Sequence, residues 1–99
     1  MINLLEETLE VLKHHDKTIF DIEWFGDNEN QWTCDIQGLL NFTYDNGYGI
    51  DEIPSGFILV GKDFWLERHE YDGSEWWEFK QIPKKPNTIK TVNNLLEQR

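Results

Sequence analysis

A chain of 99 residues can bury one hydrophobic core, and 38% hydrophobic with 14% aromatic residues excludes a disordered chain. The net charge is −10, and the lone cysteine, Cys34, excludes an internal disulfide and a cysteine metal cluster. No run of about 18 apolar residues is present, which argues against a membrane helix.

The first expected element is an amphipathic helix over residues 3–14. Leu5, Leu9 and Leu12 recur at helical spacing, Asn3 is placed to cap the start, and His14 and His15 fall in the last turn. The acids Glu6, Glu7 and Glu10 interrupt this start, so it does not read as a secretory signal. With the single cysteine, expected as a buried or half-buried thiol, this predicts a cytoplasmic location.

Residues 18–25 alternate, with Phe20, Ile22 and Trp24 on one side, and read as a half-buried strand. The polar turn "GDNENQ" follows. Asp35 then caps a second, shorter helix from 36 to about 45. Ile36, Leu39, Leu40 and Thr43 form its stripe, and Asn46-Gly47 is its stop. "YGIDEIPSG" reads as a loop.

"FILVG" suits a central strand, and a turn at Gly61-Lys62 sets Leu59 opposite Phe64 and Phe57 opposite Leu66. The next turn lies in "YDGSE". A two-residue Asp-Gly loop would place Glu67 opposite Glu78. A four-residue loop places Tyr71 opposite Trp76, His69 opposite Glu78 and Glu67 opposite Lys80. The second avoids a like-charge pair and is the expected register. Both loop lengths leave the faces unchanged. Phe64, Leu66, Arg68 and Glu70, with Trp77 and Phe79, form the core side, and Phe64, Leu66 and Phe79 are expected to be buried. Trp65, Glu67, His69 and Tyr71, with Trp76, Glu78, Lys80 and Ile82, form the other. Pro83 and Pro86 end the sheet. Ile89, Val92, Leu95 and Leu96 then recur at helical spacing and predict a C-terminal helix.

The expected architecture is therefore α+β. A small antiparallel sheet, or β-meander, carries two or three helices mainly on one face. Residues 1–99 form one domain, with 84–99 as a loosely docked C-terminal helix.

Charge divides the chain. Residues 16–79 hold fifteen acids and three bases, a net −12, whereas 80–99 hold five bases and one acid. An acidic body repels nucleic acid, so direct binding to DNA or RNA is not expected, and a basic protein is the natural partner. Aromatics ringed by acids resemble an interface anchor with a polar rim. The candidate interface is Trp65, Glu67, His69, Tyr71, Asp72, Glu75, Trp76 and Glu78. The plainer alternatives are that the C-terminal segment folds over these aromatics and that the acids only keep the chain soluble.

Little points to catalysis. His69 beside Glu78 has the composition of an oriented acid–base pair, but such cross-strand pairs are usually structural. No nucleophile elbow, Walker loop, zinc motif or calcium loop occurs, so no enzyme activity, cofactor or metal is expected.

Residues Ile53 to Pro83 resemble a short domain found in small proteins of phages and prophages. The shared features are "DNGYG", Asp45 to Gly49, and "WLERHEYDGSEWWEF", Trp65 to Phe79, with His69 at the variable place. The resemblance brings no residue roles with it. It implies a mobile-element origin and, by analogy, a host-defence inhibitor such as an anti-CRISPR protein that imitates the charge of DNA. A small-molecule or structural module with an aromatic pocket is the alternative. Neither the partner nor the oligomeric state is written in the sequence.

Overall fold

A computed structural model describes residues 1–45, 53–54 and 56–98. The chain is α+β, with two antiparallel sheets and two α-helices among the described residues. A short strand β1 (Ile2–Asn3) leads directly into α1 (Leu4–His14). The Asn3 side chain caps α1 by accepting the Glu6 N–H at 3.0 Å, as its position predicted. Leu4, Thr8 and Leu12 are the buried stripe of the helix.

The expected strand over 18–25 is mostly absent. Thr18 and Asp21 instead form a reciprocal capping box around a 3₁₀ turn, Ile19–Asp21, which leaves Phe20 exposed. Extended structure begins only at β2 (Trp24–Gly26). The polar turn that follows is closed by Asp27, whose Oδ1 accepts the N–H groups of Glu29 and Asn30. It passes so close to Gly26 that a Cβ there would lie 2.2 Å from the Asn30 carbonyl oxygen.

Helix α2 (Ile36–Leu40) is capped by Asp35 as expected but ends five residues early. The chain turns at Asn41, and Thr43–Tyr44 becomes β3, which pairs with β1. That pairing wins over the helical stripe because it buries Tyr44 completely. The Asn46-Gly47 stop, and "DNGYG" beyond Asp45, lie outside the described residues. Cys34 is exposed, not buried. It lies in the connector just before the α2 cap, and Leu40 is that helix's one buried side chain.

The larger sheet has the order β2-β4-β5-β6, with β4 (Ile58–Val60), β5 (Phe64–Tyr71) and β6 (Ser74–Gln81). Both expected hairpin registers are corrected. Gly61 donates to the Phe64 carbonyl, so the first turn centres on Lys62-Asp63 and Leu59 faces Leu66. In the second, Tyr71 faces Ser74 and Glu67 faces Glu78 across a two-residue loop. Asp72 and Gly73 both have positive φ (51° and 84°), the combination a type I′ turn requires. The twist match of that turn outweighs the like-charge pair, whose two carboxylates share neighbouring cations as described below.

The faces survive the change of register. Phe57, Leu59, Phe64, Leu66 and Trp77 join Leu4, Leu12, Leu40 and Tyr44 in the core, while Phe79 is half-buried. Helix α1 lies over this inner face, where Trp77 Nε1 donates to Thr8 Oγ1 at 2.9 Å. The expected C-terminal helix is reduced to a 3₁₀ turn, Leu95–Gln98. Residues 80–98 are exposed throughout, Ile89 at 94%. Helical spacing alone does not hold so short a helix without a surface to dock on.

Candidate functional site

Strand alternation builds the outer face of the four-stranded sheet. Cross-strand pairing aligns Trp24, Val60, Trp65 and Lys80 in one row and Gly26, Ile58, Glu67 and Glu78 in the next. Beyond them His69 faces Trp76, their rings 6.2 Å apart and nearly parallel. Tyr71 is 76% and Trp76 37% exposed, and Trp65, Glu67, His69 and Glu78 are half-buried. The exposed C-terminal segment does not bury this face.

Seven of the eight candidate residues therefore lie on this face or its tip, with Asp72 in the turn itself. Glu75 does not. It sits on the inner face and is 2% exposed, so its place in an acidic contact surface is withdrawn. The register explains why. Glu75 stands opposite Glu70 on the side of Arg68 and Trp77, where the core closes over it.

Charge on the outer face is balanced locally. His69 Nδ1 lies 3.2 Å from Glu78 and its Nε2 lies 3.5 Å from Glu67, so both ring nitrogens face carboxylates. Lys80 Nζ approaches Glu78 at 3.4 Å and Glu67 at 3.9 Å. Two carboxylates that would repel across the strands are thus bridged by two bases. His69 meets Glu78 on the diagonal, not directly opposite as the expected register had it. Its Nδ1 side is held by Glu78, while Nε2 faces Glu67 without a hydrogen bond. Acids with no ion pair among the described residues lie at the two ends. Asp72 is exposed in the turn, Glu70 is exposed at the tip but alternates onto the inner side opposite Glu75, and Glu23 and Glu29 lie beside Trp24 in an open hollow.

The sequence reading passed over Trp24 and Val60 as members of this face. The signal was present for Trp24, which alternates with the buried Phe25. "FILV" conceals it, because a run of four apolar residues does not show which ones face out.

A second polar cluster was also missed, on the inner side. Arg68 Nη1 donates to Glu7 Oε2 at 2.6 Å and its Nη2 donates to the Tyr44 hydroxyl at 2.7 Å. Tyr44 in turn donates to the other oxygen of Glu7, which closes a three-member ring. Arg68 also stacks near Tyr44 and Trp77, 5.3 and 5.1 Å from the ring centroids. Glu75 Oε1 lies 4.0 Å from Arg68 Nε and accepts the Ile53 N–H at 3.2 Å. Burial, and then the hydrogen bond to Glu7, push the Tyr44 hydroxyl up to about 12, against the opposing effect of Arg68. The cluster leaves Arg68 Nε, 4.0 Å from Glu75, without a hydrogen bond, and it ties α1, β3, β5 and β6 together.

Among the described residues no group of three or more histidine, cysteine, aspartate or glutamate side chains is arranged to hold a metal ion, and no helix is long and apolar enough to cross a membrane. No protein-family model, curated protein or solved structure matches the chain.

Proposed function

We propose that this chain is a phage or prophage accessory protein that works by binding, without catalysis, to a basic host protein. Its class would be that of anti-CRISPR or other anti-defence inhibitors, in which acids can stand in for the charge of DNA. The mobile-element origin rests only on the resemblance of Ile53 to Pro83, carried by Asp45 to Gly49 and Trp65 to Phe79. The binding mode rests on one observation: the outer sheet face is left open while carrying Trp24, Trp65, Tyr71 and Trp76. Large aromatics on an exposed face, flanked by charge, are the composition of interface anchors. Because Glu67 and Glu78 are already shared with Lys80 and His69, the acids that remain to meet lysine or arginine are Glu70 and Asp72 at the tip and Glu23 and Glu29 at the β2 end.

A pocket for a small molecule is the weaker reading. An apolar crevice is lined by Leu4, Trp32, Leu40, Phe42 and Phe57, but its volume is about 130 Å³. Ligand sites usually offer some ~300–1,000 Å³. The crevice also involves none of Trp65, Tyr71 and Trp76.

The test is capture of a partner from host cells, followed by binding kinetics at low and high salt. Association should slow steeply as salt rises. Glu70→Lys with Asp72→Lys should slow it further, and Trp76→Ala should weaken affinity by about 2 kcal/mol. Circular dichroism controls for folding. Salt-independent association by the well-folded charge variant would remove the acids from the mechanism and leave the aromatics as the anchor.

A further inference from the structure

We infer that β6 is a self-pairing edge, through which two copies of this chain join their four-stranded sheets into one. The inference is independent of the host partner proposed above, and its test contains no partner.

The first observation is the backbone. Ile82 N–H donates to the Asp63 carbonyl at 2.8 Å. Alternation along an antiparallel strand then turns the N–H and C=O groups of Trp76, Glu78 and Lys80 toward β5. Those of Trp77, Phe79 and Gln81 point the other way. Among the described residues nothing pairs with β6 on that side, since β6 ends the sheet order. Edge strands are normally blunted by shortness, charged side chains, proline or a bulge, and of these β6 carries only charges, Glu78 and Lys80 on its outer side. This one runs eight residues, Ser74–Gln81, with neither proline nor bulge.

The second observation is side-chain complementarity in one register. Place a second copy antiparallel about a two-fold axis at Phe79. Glu78 then faces Lys80 twice, and the exposed Trp76 faces the exposed Ile82 twice. On the inner side Trp77 faces Gln81, which would lie along the groove that Val11, His14, His15, Trp77 and Phe79 form beside α1. The outward backbone groups of Trp77, Phe79 and Gln81 all find partners. Sliding by one step toward the tip places Glu78 opposite Glu78. Sliding one step more leaves Glu78 opposite Trp76 and Lys80 opposite Ser74, with no ion pair. Of these three registers, only the one centred on Phe79 sets Glu78 and Lys80 against opposite charge on the other copy.

The third observation is where the chain goes next. Pro83 stops the ladder, and Lys84 and Lys85 would then run alongside the hairpin tip of the other copy, with its Glu70 and Asp72. The basic end of each chain thus meets the acidic end of its neighbour. These contacts are local, whereas repulsion between two acidic bodies is screened beyond ~8 Å at physiological salt.

Sedimentation equilibrium of the full chain over a wide concentration range tests this. A reversible dimer is expected. Glu78→Lys and Lys80→Glu should each weaken it about tenfold or more, because each creates two like-charge pairs. The double variant restores opposite charges and should recover the dimer to within about threefold. Gln81→Pro removes an outward N–H that β5 does not use, and it should also weaken the dimer while circular dichroism stays unchanged. A monomer at every concentration overturns the inference. So does a dimer indifferent to the single reversals, or a double reversal that fails to rescue.

Discussion

The two faces of the β5–β6 hairpin carry nearly the same chemistry one residue apart. On the inner face Arg68 meets Glu7, Tyr44 and Glu75. On the outer face His69 and Lys80 meet Glu67 and Glu78. The Arg68 side chain is 1% exposed, and the outer side chains are each about a third or more exposed. What separates the clusters is water. Inside, Arg68 and Glu75 depend on protein partners, because little solvent reaches them to replace a lost one. Outside, solvent stands in at once, and the pairs guide orientation more than stability.

Breaking the inner cluster is the largest way to widen this contrast. Arg68→Ala removes the guanidinium beside Glu7 and Glu75 and the stacking on Trp77. It should cost about 3–5 kcal/mol, a large share of a small domain's stability. Urea denaturation measures it, and a loss below about 1 kcal/mol would mean that water reaches the cluster. The next effect is a matter of alkali. Tyr44 ionises more readily in the unfolded chain, where it is near 10, than in the fold, where it is near 12. Its contribution is fully present below pH 10 and is lost as pH rises toward 12, up to roughly 3 kcal/mol. Tyr44→Phe should flatten that part of the stability curve relative to the parent, whatever the other titrating groups do. Smallest is the outer pair. Glu67→Gln should change stability by less than about 1 kcal/mol, in either direction, because it removes both an attraction and a repulsion. A larger loss in the same urea assay would assign the outer cluster a structural weight equal to the inner one.

Alternation made the two faces legible from sequence, and it placed Arg68 on the core side with Trp77. It could not show why an arginine belongs there, since Glu7 lies 61 residues away. The helix capped by Asn3 was legible for a local reason, as cap and first turn are adjacent. The hairpin register was misread because repulsion between Glu67 and Glu78 was weighed alone. Lys80 and His69, which offset it, sit beside them only in the folded sheet. The strand expected at 18–25 gave way to a local competitor, the Thr18–Asp21 box. The C-terminal helix failed for the opposite reason: its spacing is correct, but nothing receives it. Of the candidate site, the place of seven residues was legible, whereas Glu75, expected in the turn, is the second residue of β6 and faces inward.

The contact between α1 and the hairpin also orders events in time. The hairpin is closed by the Asp72-Gly73 turn between neighbouring segments and can form in ~1–10 μs. The bonds from Arg68 to Glu7 and from Trp77 to Thr8 close spans of 61 and 69 residues, at a larger entropic cost. Those bonds should therefore be largely absent from the folding transition state. Arg68→Ala should hasten unfolding while leaving refolding nearly unchanged, and stopped-flow in both directions would reveal it. The arginine that holds the native state together would then govern how long the protein stays folded, and not how quickly it arrives there.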